Sequence, residues 1–218
     1  RPTLLGQGGV VGRAGELYLR GDTALLLLDE PSTTCQQMQV PDVSWTPRGE
    51  LALVDVSEGR KPALRGRYCL PGEVVASRLL GDFLYLVTSD GQSSTVFSVD
   101  VSRPDAPEVL QVLALSGDGK EIHMTPTMLF VAAKGTTDCS SGWCRPGDGT
   151  ALELVSLSAE TGGLRRRGKV SLPGEPQGRF HMSAHGTTFR IVTYDATNRE
   201  SLLSVIDVAE ADTPKVRG

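Results

Sequence analysis

The sequence predicts an all-β protein built from repeated four-stranded antiparallel sheets. Three observations carry that prediction. Short apolar runs with β-branched and aromatic bias recur along the chain, as in Phe83-Leu84-Tyr85-Leu86-Val87. Turn pairs such as Gly21-Asp22 and Asp90-Gly91 separate them, since Gly accepts positive φ and Asp bonds its own local backbone. No stretch sustains apolar residues at i, i+3, i+4, which removes helical repeats of similar period.

Taken in order, Gly6-Gln7-Gly8-Gly9 precedes strand-like residues and reads as a flexible entry rather than a phosphate cradle. Residues 15–29 predict two strands around the Gly21-Asp22 turn. Residues 31–48, rich in Pro, Ser, Thr and Gln, predict a loop or an irregular outer strand. Strands follow at 50–57 and 63–70, and Pro71-Gly72-Glu73 closes the first unit. The second unit contains the run at 83–87, a strand at 96–101 ended by Pro104 and Pro107, and a last strand at 108–115. The third has strands at 127–133, 151–158 and 169–172, interrupted by the insertion 138–149. The fourth opens at Arg179-Phe180 and has strands at 187–195 and 201–209. The units span approximately 15–73, 74–119, 120–175 and 176–218 of one domain.

The repeat shows in columns. Asp55, Asp100 and Asp207 each precede Val in a hydrophobic-Asp-Val step, and Ser156 takes that place in the third unit. Pro62, Pro107 and Pro214 each follow seven residues after those aspartates. Leu-Pro-Gly-Glu occurs at both 70–73 and 172–175. Four strands in about 40–50 residues, with variable loops, is the pattern of propeller blades.

The segments SRLLGDFLYLVT (77–88), TPTMLFVAA (125–133), GRFHMS (178–183) and FRIVT (189–193) give the chain a family likeness. It resembles the bacterial secreted β-propeller-domain family, distantly related to WD-type propellers, from about Gly15 onward. The resemblance implies about four blades of a longer ring, because members of that family continue for several more. The strand after Pro214 is cut at Lys215-Val216-Arg217-Gly218, so an incomplete ring is expected. These motifs are strand signatures, and no catalytic role transfers with them.

Composition narrows the classes of function. The chain carries 22 Lys plus Arg against 26 Asp plus Glu, without the clustered basic surface of a nucleic-acid binder. Its one cation run, Arg165-Arg166-Arg167, reads as a solvated strand end. No apolar segment reaches the roughly 18 residues of a spanning helix, and no signal peptide is visible. Cys139 and Cys144 flank a short Ser-Ser-Gly-Trp turn, while Cys35 and Cys69 share the first unit. Two disulfides are the expected pairing, since a tetrathiolate zinc site needs two tight pairs. An oxidising, extracytoplasmic location is expected with them.

His181 and His185 lie in a strand-like setting that separates them by roughly 13 Å, too far for one metal unless the chain turns. His123 is isolated. The aspartate column is expected to cap turns; calcium wants a denser set of oxygens. No cofactor is expected, calcium being the one alternative. The leading function is a non-enzymatic extracytoplasmic scaffold, meeting a protein or cell-envelope partner, or the remainder of the propeller, through rim loops. The insertion with Trp143 and Arg145 and the segment 31–48 are the candidate contacts. The alternatives are a metal-dependent hydrolase or lyase using residues such as His123, His181 and Asp195, and a structural subunit of a larger envelope assembly.

Overall fold

A computed structural model describes residues 3–4, 6–38, 46–91, 93–103, 105–115, 117–135 and 149–217. The strands form four sheets. The first contains β1 (Ala14–Arg20), β2 (Thr23–Leu28), β3 (Gln36–Gln37), β4 (Pro47–Asp55) and β5 (Ala63–Pro71), ordered β1-β2-β4-β5-β3. The second runs in sequence order through β6 (Glu73–Leu80), β7 (Phe83–Ser89), β8 (Ser94–Asp100) and β9 (Glu108–Leu115). The third does the same with β10 (Asp118–Met124), β11 (Met128–Gly135), β12 (Gly149–Leu157) and β13 (Leu164–Pro173). In the fourth, β14 (Glu175–Pro176) and β15 (Met182–His185) both pair with β16 (Thr188–Asp195), followed by β17 (Glu200–Asp207) and β18 (Lys215–Val216).

The chain divides into two compact units, residues 1–88 with 97–112, and residues 89–96 with 113–218. The core of the first joins Leu25, Leu27, Leu51 and Leu53 to Leu84, Leu86, Phe97 and Val99. Within each strand these residues alternate, so one face of the sheet supplies the contact. The opposite residues Tyr85 and Val87 are buried too, so β7 has no solvent face at this point. That explains its unbroken apolar run. The core of the second unit joins Phe130, Leu152 and Leu154 to Met182, Phe189, Ile191 and Ile206.

Turn chemistry repeats from sheet to sheet. The Oδ1 atoms of Asp55, Asp100 and Asp207 accept the backbone N–H two residues on, from Ser57 at 2.8 Å, Ser102 at 2.7 Å and Ala209 at 2.9 Å. The residue after each aspartate donates its N–H back to the preceding hairpin: Val56 to Asp22, Val101 to Asp82 and Val208 to Thr187. Leu157 does the same to Thr127 in the third sheet, where Ser156 replaces the aspartate. The third turn is held differently, by Ser158 Oγ accepting the N–H of Thr161 at 3.2 Å. Each sheet is linked to the next through a glycine of positive φ: Gly72 at 72°, Gly117 at 84° and Gly174 at 72°. A side chain at Gly174 would also lie 2.8 Å from the Tyr194 carbonyl.

Two expectations change. Residues 179–181 form a 3-10 turn, so His181 does not sit in a strand. The Gly6–Gly9 run is no free entry: a Cβ at Gly6 would fall 2.5 Å from the Gly59 carbonyl oxygen, so the backbones touch. Arg165-Arg166-Arg167 lies at the start of β13, with Arg165 and Arg166 exposed as a solvated strand end should be, and it also forms ion pairs, Arg167 with Asp212 at 3.2 Å and Arg166 with Glu153 at 3.7 Å.

Candidate functional site

Segment 29–38 leaves β2 and returns along the outer edge of the first sheet. Gln36 and Gln37 pair in parallel with Tyr68 and Cys69 of β5, forming an added fifth strand. Two residues of β3 cannot hold an edge by hydrogen bonds alone, and the covalent bond Cys35–Cys69 fixes them there. Cys69 is buried and its Sγ also meets the Cys35 carbonyl oxygen. An open groove of about 520 Å³ lies over the bond, lined by Pro31, Ser32, Thr33, Gln37 and Pro47 with the two cysteines.

The root of this segment is tied inward by a charge. Glu50, fully buried, accepts the Ser32 N–H at 2.7 Å through Oε2. Its Oε1 stands 2.5 Å from Arg67 Nε, an ion contact rather than an aligned hydrogen bond. Arg67 donates from a terminal nitrogen to the Val11 carbonyl at 2.7 Å. A buried carboxylate without these partners would be strongly destabilising, so the loop, β4, β5 and the chain before β1 are ordered together.

A second polar cluster joins β1 to β6. The Tyr18 hydroxyl lies 2.7 Å from both Glu16 Oε2 and the Ser77 carbonyl. Ser77 Oγ donates to the same Glu16 oxygen, and Arg78 approaches the other carboxylate oxygen at 3.7 Å. Burial pushes the Tyr18 phenol above its ordinary pKa, and Glu16 adds to the rise. At neutral pH the phenol therefore keeps its proton and serves as a donor. The cluster satisfies itself, with no nucleophile set beside a free base.

The residues of the hydrolase alternative have other occupations. The Asp195 carboxylate accepts the backbone N–H groups of Thr197 at 2.8 Å and Asn198 at 3.2 Å, and the Asn198 side chain at 2.8 Å. His123 packs beside the rings of Phe130 and Phe189, whose own centroids stack at 4.1 Å. His181 sits exposed in the 3-10 turn, and His185 is exposed at the end of β15, next to the Gly186 turn. Among the described residues, no three His, Cys, Asp or Glu side chains come together as a metal site. Cys139, Cys144, Trp143 and Arg145 lie outside the described residues.

Sequence reading located Cys35, Cys69 and the 31–48 segment but missed the Glu50–Arg67 pair and the Tyr18 cluster. A glutamate opening the apolar run Glu50-Leu51-Ala52-Leu53-Val54 was the available signal for the first. The second had none, because Tyr18 and Ser77 are 59 residues apart.

Sheets built on four sequential strands, joined by positive-φ glycines and closed in three of them by aspartate turns, define a β-propeller architecture. Residues 5–95 and 89–215 match the family described as Beta propeller domain, and the chain belongs to that family. A comparison with curated proteins finds no match. Among solved structures it is similar to a chain from an S. cerevisiae assembly, dbp5 bound to nup159, gle1, ip6 and adp. The identity there is 12% and the TM-score 0.52, covering 91% of this chain and 45% of that one. A hypothetical selenium-binding protein from Sulfolobus tokodaii is 13% identical with TM-score 0.46, covering 73% of this chain and 41% of the other. The chain thus spans less than half the length of these two structures.

Proposed function

We propose that this is a single β-propeller domain acting outside the cytoplasm, in the bacterial cell envelope, as a non-enzymatic scaffold for a protein partner. The observation carrying the proposal is the disulfide-fixed segment 29–38 with its open groove of about 520 Å³. A rigid strap on a sheet edge loses little conformational freedom on binding, which favours affinity. The disulfide supports an oxidising compartment. The insertion carrying Trp143 and Arg145, closed by a Cys139–Cys144 bond, is proposed as a second contact.

Photocrosslinking tests the reading, with the probe placed at Thr33 in one protein and at the exposed Glu160 in another. Incubation with envelope extract should give one discrete adduct from Thr33 and none from Glu160. Equal labelling from both, or a stoichiometric metal needed for hydrolysis by the purified protein, would overturn it.

A further inference from the structure

The bond between Cys35 and Cys69 is unequally open at its two ends. Cys35 is partly exposed on the strap, under the open groove, whereas Cys69 is buried in β5. Thiol–disulfide exchange begins when a thiolate reaches one of the two sulfurs. Access therefore selects Cys35 as the point of attack and Cys69 as the leaving group.

What opening the bond would release is set by the other ties of the strap. Its root is held by the buried Glu50 carboxylate, which accepts the Ser32 N–H at 2.7 Å. Its far end is held by Met38, which is buried in the core of the first unit. Between these two anchors the described contacts are local or few. The Cys35 N–H donates to the Ser32 carbonyl at 3.4 Å, and the Ser32 and Thr34 hydroxyls meet at 3.3 Å, both within the strap. Gln36 and Gln37, both exposed, pair with Tyr68 and Cys69 over two residues. So short a pairing does not hold a strand by itself. The Cys69 sulfur lies 3.1 Å from the Cys35 carbonyl, a weak contact once it is a thiol. Residues 33–37 are thus a short segment with two fixed ends and one covalent latch.

We propose that Cys35–Cys69 is an exchangeable latch, opened by a dithiol reductant, that frees residues 33–37 while Ser32 and Met38 stay in place. The attacking thiolate bonds to the Cys35 sulfur as the Cys35–Cys69 bond breaks. Cys69 leaves as a thiolate and takes up a proton, matching the one lost by the attacking thiol. The second thiol of the reductant then displaces Cys35, leaving two thiols on the protein and a disulfide on the reductant. Two electrons pass to the protein, and the reductant is oxidised by the same two. Thr33, Cys35 and Gln37 all line the groove, so opening the latch dismantles it. It also bares the outer edge of β5 at Tyr68 and Cys69, where another strand could add. The control of binding rests on the contact proposed above for the groove; the exchange step does not.

The test uses the full chain carrying Cys139→Ser and Cys144→Ser, so that only this bond remains. Glutathione, a monothiol, should leave a mixed disulfide on Cys35 of the native protein, read by peptide mass mapping. Dithiothreitol should then yield two thiols without denaturant, and the reduced protein should still melt cooperatively. Amide exchange should rise about tenfold or more at residues 33–37 while the Ser32 amide stays protected. Glutathione on Cys69, a bond that yields only in denaturant, or a Ser32 amide that exchanges as fast as that of Thr34 would each overturn the latch. A Thr33 photocrosslink that survives reduction unchanged would overturn the control of binding and leave the contact standing. A latch that opens as described, in a protein whose Thr33 gives no adduct, would sink the contact and uphold the exchange.

Discussion

The first and fourth sheets share a turn, and the first adds a strap along its outer strand. In the first, β5 runs from Ala63 to Pro71, and β3 is laid along it and bonded covalently. In the fourth, the last described strand is the two-residue β18. The turns that feed the two edges are nonetheless the same device. Asp55 pairs with Arg65 at 2.5 Å, and Asp207 pairs with Arg217 at the same ten-residue spacing. Turn chemistry is thus common to the repeat, whereas edge protection is particular to each sheet. An insertion between β2 and β4 supplies it in one case. Edge strands recruit other strands unless shielded, and β3 with its disulfide shields β5 in this way.

Removing the shield should have the largest effect. The Cys35→Ser, Cys69→Ser double variant should lose about 3–4 kcal/mol on the chain-entropy model, for a bond spanning 34 residues. Chemical denaturation measures the loss. Hydrogen exchange should quicken along β5 and β4 and stay unchanged along β17. Equal quickening in both sheets would show that the disulfide does not act on its own edge.

Packing of the fourth strand sharpens the comparison next. Gly168→Ala should cost about 2 kcal/mol, because its Cβ meets the fixed backbone of Ala211 and Asp212. Gly66→Ala should cost less, since the atoms in its way belong to the Tyr68 ring, which can shift. Thermal melts of the two single variants decide it. Equal losses would mean that the two fourth strands are held alike.

Much of this architecture was legible in the sequence because its signals are local. The apolar runs, the Asp-Gly turns and the Leu-Pro-Gly-Glu links each specify backbone within a few residues. The aspartate column predicted the caps at Ser57, Ser102 and Ala209, and the shared unit of Cys35 and Cys69 predicted their bond. Long-range polar pairing was not legible. Nothing near Tyr18 announces Ser77, and nothing near Gly6 announces Gly59. The Gly6–Gly9 run looked flexible because glycine permits many conformations, and the same lack of a side chain is what lets two backbones touch. The solvated end Arg165–Arg167 gave no sign of its ion pairs, because the partner of Arg165 and Arg167, Asp212, lies on a later turn.

A smaller effect is expected at the second sheet. Asp100→Ala removes the acceptor of the Ser102 N–H and should cost about 1 kcal/mol, the usual worth of such a cap. Calcium titration of the wild type should leave the melting temperature unchanged. A large calcium-dependent rise would turn the aspartate column from a set of caps into a set of ion sites.

The smallest effect is electrostatic, and it tests whether the turns of the first and fourth sheets are equivalent. Hydrogen bonds from Ser57, with Arg65 adding to them, hold the Asp55 pKa down to about 2. Arg217, helped by the Ala209 N–H, lowers that of Asp207. A carboxylate whose folded pKa is depressed stabilises the fold above its unfolded pKa, near 4. That contribution disappears as pH falls through the folded value. Both aspartates are partly exposed, so the surrounding water screens much of the gain. Melting temperature should therefore stay level from pH 7 to about 5 and decline between about pH 4 and 2. Asp55→Asn and Asp207→Asn should each flatten that decline by a similar small amount, because the spacing to the arginine is the same. If only one of them flattens it, the two turns are alike in sequence and different in energy.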